Sequence, residues 1–211
     1  CGIHESQSRF YENVLGRNKN FWVPIYEKLG ALLPKFKEIS LDEFYHEINH
    51  VRNSLIRTEA DEVTYCFHII LRYEMEKAIF RDNVPVAKLP ELWNQKMKEY
   101  LDIVPTNDAE GILQDMHWSD GSFGYFPSYL LGSIYDGMYL EELEKELGPV
   151  DEILKEGKIS EITKWLNEKI HWYGSTRTPK EVIANVCGKE VSAEPLVRYF
   201  ERKYANVYDL K

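Results

Sequence analysis

What this sequence has little of narrows its class before any motif is read. Its three cysteines, Cys1, Cys66 and Cys187, are odd in number and far apart. Neither a disulfide framework nor a cysteine metal site is expected, and a reducing, cytoplasmic setting fits best. Positive charge is in deficit: 26 Lys and Arg against 35 Asp and Glu leave a net charge of −9. A nucleic-acid partner, which needs a basic face, is not expected. No apolar run approaches the length of a membrane span, and no basic-then-apolar leader opens the chain, so no membrane partner is expected either. Internal repeats, low-complexity segments and dividing linkers are missing. Strand signals are scarce, the best being a short extended run near Leu55–Thr58. There is no initiator Met, and the first residues already read as helix interior, so the chain is expected to be a fragment.

Helical signals fill the space left by these absences. The 211 residues are 44% hydrophobic, enough for one well-buried domain or a large piece of one. Ser40 with Glu43 reads as a capping box, as does Thr178-Pro179-Lys180-Glu181, with proline at the first helical position. Gly16, Gly148, Gly157 and Gly188 follow periodic runs as helix stops. Ile162, Trp165, Leu166, Ile170 and Tyr173 recur at amphipathic spacing. From Glu62 to Phe80 apolar residues cover most of the circumference, which predicts a central buried helix. The fold class is therefore all-α, a multi-helix bundle with at most a short strand or hairpin near residues 53–60. Loops are expected at residues 53–60, 81–90 and 116–127.

One stretch within the expected helix Leu41–Leu55 demands a decision. His46-Glu47-Ile48-Asn49-His50 is a literal HExxH, the pattern that sets two imidazoles one turn apart to hold zinc, with a general base between them. At about 100° per residue, Leu41, Phe44, Tyr45, Ile48, Val51 and Leu55 share one face. His46 and His50 then point to the opposite side, toward water. A catalytic zinc helix must instead turn its histidines into a cleft, where further partners fix each ring. The motif is read as a solvated helix face; the rival reading is a self-contained zinc peptidase.

Three other stretches are harder to explain as packing. They are Gly2-Ile3-His4-Glu5-Ser6-Gln7-Ser8-Arg9, Ile56-Arg57-Thr58-Glu59-Ala60-Asp61, and Gly111-Ile112-Leu113-Gln114-Asp115-Met116-His117-Trp118, the last continuing through Tyr125 to Tyr129. HESQ, IRxxAD and GxxQDxHW, in this order, resemble the carboxypeptidase Taq family of zinc carboxypeptidases. The resemblance covers the whole chain but only the C-terminal part of the family's length, residues 1–211 forming part of a single helical domain that makes one wall of a zincin-type substrate cleft. The family's own HExxH lies upstream of HESQ, whereas HEINH follows it.

Carried over, the resemblance makes Glu5 the third metal ligand, completing a His₂Glu site for zinc or another divalent metal in the full-length protein. A plain pairing of Glu5 with Arg9 is the alternative. Arg57 would bind the terminal carboxylate of a peptide, braced by Asp61; a surface ion pair is the alternative. His117 and Tyr125 resemble donors to the oxyanion of a tetrahedral intermediate, oriented by Gln114 and Asp115, and Tyr125 could instead be core. His4 and His68 are read as structural. The implied partners are peptides with a free C-terminal carboxylate, the missing N-terminal segment carrying HExxH, and a second copy in a homodimer. The expected function is a broad-specificity metallocarboxypeptidase of which this fragment alone is inactive and holds no tightly bound metal. A non-catalytic helical module that binds peptide C-termini or a partner is the alternative.

Overall fold

The computed structural model describes residues 1–210, and no strand occurs among them. Eleven α-helices follow one another: α1 (Gly2–Arg9), α2 (Lys19–Trp22), α3 (Tyr26–Leu32), α4 (Leu41–Ile48), α5 (Glu62–Phe80), α6 (Leu89–Leu101), α7 (Pro127–Leu147), α8 (Val150–Lys155), α9 (Ile159–Lys169), α10 (Pro179–Cys187) and α11 (Glu194–Val207). A π-helical turn, Phe10–Leu15, continues directly from α1. Both expected capping boxes form: Ser40 and Thr178 each take the backbone N–H three residues on, and Glu43 and Glu181 reach back to the cap. The helix expected over 62–80 spans those residues.

Two expectations are corrected. The extended run near Leu55–Thr58 is not a strand; a 3₁₀ turn occupies Arg57–Glu59. The helix expected to reach Leu55 stops at Ile48. Asn49 ends it, because its fully buried side-chain amide donates to the carbonyls of Tyr45 at 2.9 Å and Arg17 at 3.0 Å. An asparagine side chain competing for backbone carbonyls favours a helix end over its interior.

The chain forms two compact units, one built from residues 50–130 and the other from residues 2–49 with 131 onward. In the first, α5 packs on α6. Leu89, Trp93, Met97 and Leu101 recur every four residues and meet Leu71 and Met75 in one buried cluster. Truncating such residues to alanine typically costs 2–5 kcal/mol, roughly. In the second unit Phe44 of α4 is seated among Trp22, Tyr26 and Phe36, with ring centroids 4.9–5.7 Å away.

Close backbone approach organises this second unit. At Gly132 of α7, a Cβ would lie 2.8 Å from the Ser6 nitrogen and 2.9 Å from the Glu5 carbonyl carbon, so α1 rests on bare backbone. Five residues on, a Cβ at Gly137 would lie 2.5 Å from the Leu196 nitrogen at the start of α11.

In an ordinary helix interior, Gly→Ala stabilises by about 1 kcal/mol. Gly137→Ala should do the reverse and destabilise by about 1–3 kcal/mol, because the methyl overpacks against backbone that cannot yield. Urea unfolding of both proteins measures the sign, and a stabilised variant would show that α11 does not sit against Gly137.

Candidate functional site

Local chemistry places Arg57. Asp61 is the N-cap of α5, its Oδ1 accepting from the backbone N–H groups of Val63 and Thr64 at 2.9 Å each. Its Oδ2 accepts from the Thr64 hydroxyl at 2.6 Å and the Arg52 N–H at 3.0 Å. The Asp61 carboxylate is therefore spent on backbone and cap, and it does not brace Arg57 as expected. It anchors the end of the segment on which Arg57 sits, four residues earlier in the 3₁₀ turn.

The brace is Asp115. Arg57 donates to Asp115 Oδ1 from Nε at 2.9 Å and from Nη2 at 2.7 Å, and from Nη1 to the Tyr65 hydroxyl. The other carboxylate oxygen, Oδ2, takes Nε of Arg72 at 2.6 Å. Gln114 ties the two segments together. Its Oε1 accepts the Arg57 backbone N–H at 2.9 Å and Arg72 Nη2 at 2.8 Å, while its Nε2 donates to the carbonyls of Leu55 and Glu110 at 3.0 Å each. Gln114 and Asp115 thus hold two arginines, while His117, which they were expected to orient, has its ring Nε2 on the Tyr129 hydroxyl. Arg57 also lies 5.2–5.6 Å from the ring centres of Tyr65, Phe126 and Tyr129, and Arg72 lies 4.9 Å from that of Trp93, distances at which a cation is attracted by a ring face.

The electrostatics follow from burial and these partners. Burial pushes the Asp115 carboxyl up, but Arg72 and Arg57 together hold it below the usual carboxylate range. Burial lowers Arg72 to about 10 in spite of Asp115. Burial, then the charge on Arg72, pushes His68 down to about 3. At neutral pH the cluster holds two guanidinium cations, one carboxylate and a neutral His68.

His117 and Tyr125 lie in the same unit. The His117 ring packs 4.4 Å from Phe126 and 5.7 Å from Tyr125, centroid to centroid. Its Nε2 meets the Tyr129 hydroxyl at 3.1 Å, and its Nδ1 has no protein partner. Burial, then the charge on Arg57, lowers its pKa. Trp118 pins this loop to α5: its indole N–H and the Gly124 N–H both reach Oε1 of the buried Glu76, at 2.9 and 3.0 Å. Tyr129, the hydroxyl that holds His117, was not singled out by sequence reasoning, although it ends the quoted motif run.

Glu5 lies in the other unit, on α1, half-buried. Gln7 of the same motif meets His171 Nε2 at 2.7 Å, and Arg9 donates to the Ser133 hydroxyl at 3.3 Å and pairs with Glu12 at 3.6 Å. His4 is exposed and not a structural core residue, whereas His68 is fully buried. In HEINH, His46 lies in α4 but His50 follows its end, so the two imidazoles do not share a helix; both are exposed. Among the described residues no group of three or more His, Cys, Asp or Glu side chains is placed to hold a metal ion. No helix is long and apolar enough to cross a membrane among the described residues.

Residues 1–204 match the family described as carboxypeptidase Taq (M32) metallopeptidase. Over 208 residues the chain is 50% identical to carboxypeptidase 1 of Bacillus subtilis, covering 98% of this chain and 42% of that protein. Over 207 residues it is 40% identical to thermostable carboxypeptidase 1 of Thermus thermophilus, covering 98% of this chain and 41% of that protein. The crystal structure of the M32 carboxypeptidase from Deinococcus radiodurans superposes with a TM-score of 0.94 at 31% identity, over 99% of this chain and 42% of that one. The chain thus spans less than half the length of the curated relatives it matches.

The buried neutral His68 gives the fold a pH dependence with a definite sign. Its folded pKa, about 3, lies below the unfolded value of 6.5, so its contribution is complete above 6.5 and is lost as pH falls toward 3. The lowered Asp115 acts only below the ordinary carboxylate range, outside this window. Going from pH 7 to pH 5 should cost about 2 kcal/mol through His68 alone, and His68→Gln should remove that part of the slope. Urea denaturation of both proteins at the two pH values measures it, and equal losses would remove His68 from the acid response.

Proposed function

The chain belongs to the carboxypeptidase Taq (M32) metallopeptidase family, and on that premise we propose that it is the C-terminal part of a single-domain carboxypeptidase that releases C-terminal residues from peptides with broad preference. The observation that carries this reading is the anchored Arg57. Three of its five N–H groups are committed to Asp115 and Tyr65, which fixes the plane of the guanidinium and leaves two N–H groups for a ligand. A planar, pre-oriented cation of this kind suits a carboxylate, and only an enzyme that works from the C-terminus needs one for the substrate's end.

The remaining roles follow from the residues' partners. Asp115 and Gln114 hold Arg57, and Asp61 holds the segment that carries it. The His117 imidazole, kept neutral and positioned by the Tyr129 hydroxyl, and the Tyr125 hydroxyl would donate hydrogen bonds to the carbonyl oxygen that becomes negative as the peptide bond is attacked. Glu5 would supply one carboxylate ligand to zinc, or to another divalent metal in its place. The other ligands would come from an upstream HExxH segment, so the chain alone is not assigned the full reaction. A homodimer in the cytoplasm is the working assembly we assign to the whole enzyme.

Arg57→Lys in the full-length protein tests this reading, because an ammonium cannot reproduce a two-pronged planar donor. The kcat/KM on free-acid peptides should fall at least ~10-fold, about 1.4 kcal/mol of transition-state binding. The wild type should strongly prefer free acids over C-terminal amides, and the variant should lose most of that preference. An unchanged acid-to-amide ratio would leave Arg57 a loop brace.

A further inference from the structure

Arg72 belongs to none of the sequence motifs, yet it shares every anchor that Arg57 uses except Tyr65. It is fully buried in the middle of α5. It takes Oδ2 of the carboxylate whose Oδ1 holds Arg57, and the same Gln114 Oε1 that receives the Arg57 backbone N–H. Its Nη1 donates to the His68 carbonyl at 2.8 Å. Glu76 lies one turn further along α5, but that carboxylate faces Trp118 and Gly124.

Charge and geometry then point the same way. An Arg57–Asp115 pair by itself would be neutral and would draw an incoming anion only as a dipole, more weakly than a net cation does. Two guanidinium groups on one carboxylate leave a single positive charge in excess, in surroundings too buried for water to screen it well. With Oδ2 and Gln114 Oε1 both occupied by Arg72, Asp115 meets Arg57 through one oxygen only. Asp115 is thereby kept on the Nε–Nη2 edge of Arg57, and the remaining N–H groups on Nη1 and Nη2 are left for a substrate.

We infer that Arg72 is a positioning residue for anion recognition: acting through Asp115 and Gln114, it fixes the guanidinium of Arg57 and keeps the cluster one positive charge in excess, so that the site selects a terminal carboxylate over a neutral amide. This rests on the reading of Arg57 as the carboxylate-binding group.

The test uses the full-length protein with a blocked dipeptide, offered as the free acid and as its C-terminal amide. Arg72→Met removes the second cation while filling a similar volume. Arg72→Gln also removes the cation, and it keeps an amide N–H that can donate to Asp115. In both variants the kcat/KM for the acid should fall at least ~10-fold, chiefly through a raised KM, while that for the amide stays within about 3-fold. Arg72→Lys, which keeps the charge but loses the fork, should retain part of the preference. A merely structural role would lower both substrates together and leave the ratio unchanged, and that result overturns the inference. If Arg72→Met does not fold, Arg72→Gln decides. If the wild type shows no preference for acids, or Arg57→Lys keeps it, the reading of Arg57 fails. If those two tests succeed while Arg72→Met and Arg72→Gln keep the ratio, only the role of Arg72 falls.

Discussion

The carboxylate of Asp115 is the interaction on which the first unit's loops depend. It makes hydrogen bonds to two buried arginines at once, and without it two desolvated cations would face each other. Breaking a buried ion pair by removing one partner typically costs 3–5 kcal/mol, roughly, because the remaining charge is stranded. Here the stranded charge would be double. The same bonds join the 3₁₀ turn at Arg57, the middle of α5 and the loop after residue 110, three segments with little regular structure to hold two of them. The polar network therefore does for these loops what apolar packing does for α5 and α6.

Where structure was decided locally, it was legible in the sequence. Both capping boxes and the span of α5 rest on residues three or four apart, and they form as expected. The end of α4 was not legible in this way. The apolar spacing of Leu41 to Leu55 supports a longer helix, but the stop comes from Asn49 reaching the carbonyl of Arg17, 32 residues away in the chain. Periodicity registers which face is apolar; it does not register a side chain that finds a better acceptor elsewhere. This also separates the two imidazoles of HEINH.

The candidate site shows the same division. Arg57, Gln114 and Asp115 were found because their motifs are distinctive, and the structure brings them into direct contact. Their pairing differs from the expectation: the resemblance implied Asp61 as the brace of Arg57, while the helix N-terminus of α5 claims that carboxylate. Arg72 was missed because an arginine in a helix that is apolar on most sides carries no local signature. The signal available was a strong cation four residues after His68 in a segment too buried to leave it unpaired, which calls for a carboxylate from elsewhere without saying which.

Gly132 has a consequence for the precision of the HESQ helix. Because α1 touches α7 backbone to backbone there, with the Glu5 carbonyl carbon 2.9 Å from where a methyl would stand, no side chain cushions the contact. The spacing of the two helices is set by hard van der Waals radii and not by a rotamer that thermal motion can change. Glu5 is therefore mounted like a part on a machined seat, its backbone bearing directly on that of α7. Any bulk added at Gly132 would act as a shim, displacing the whole motif without altering a single one of its residues.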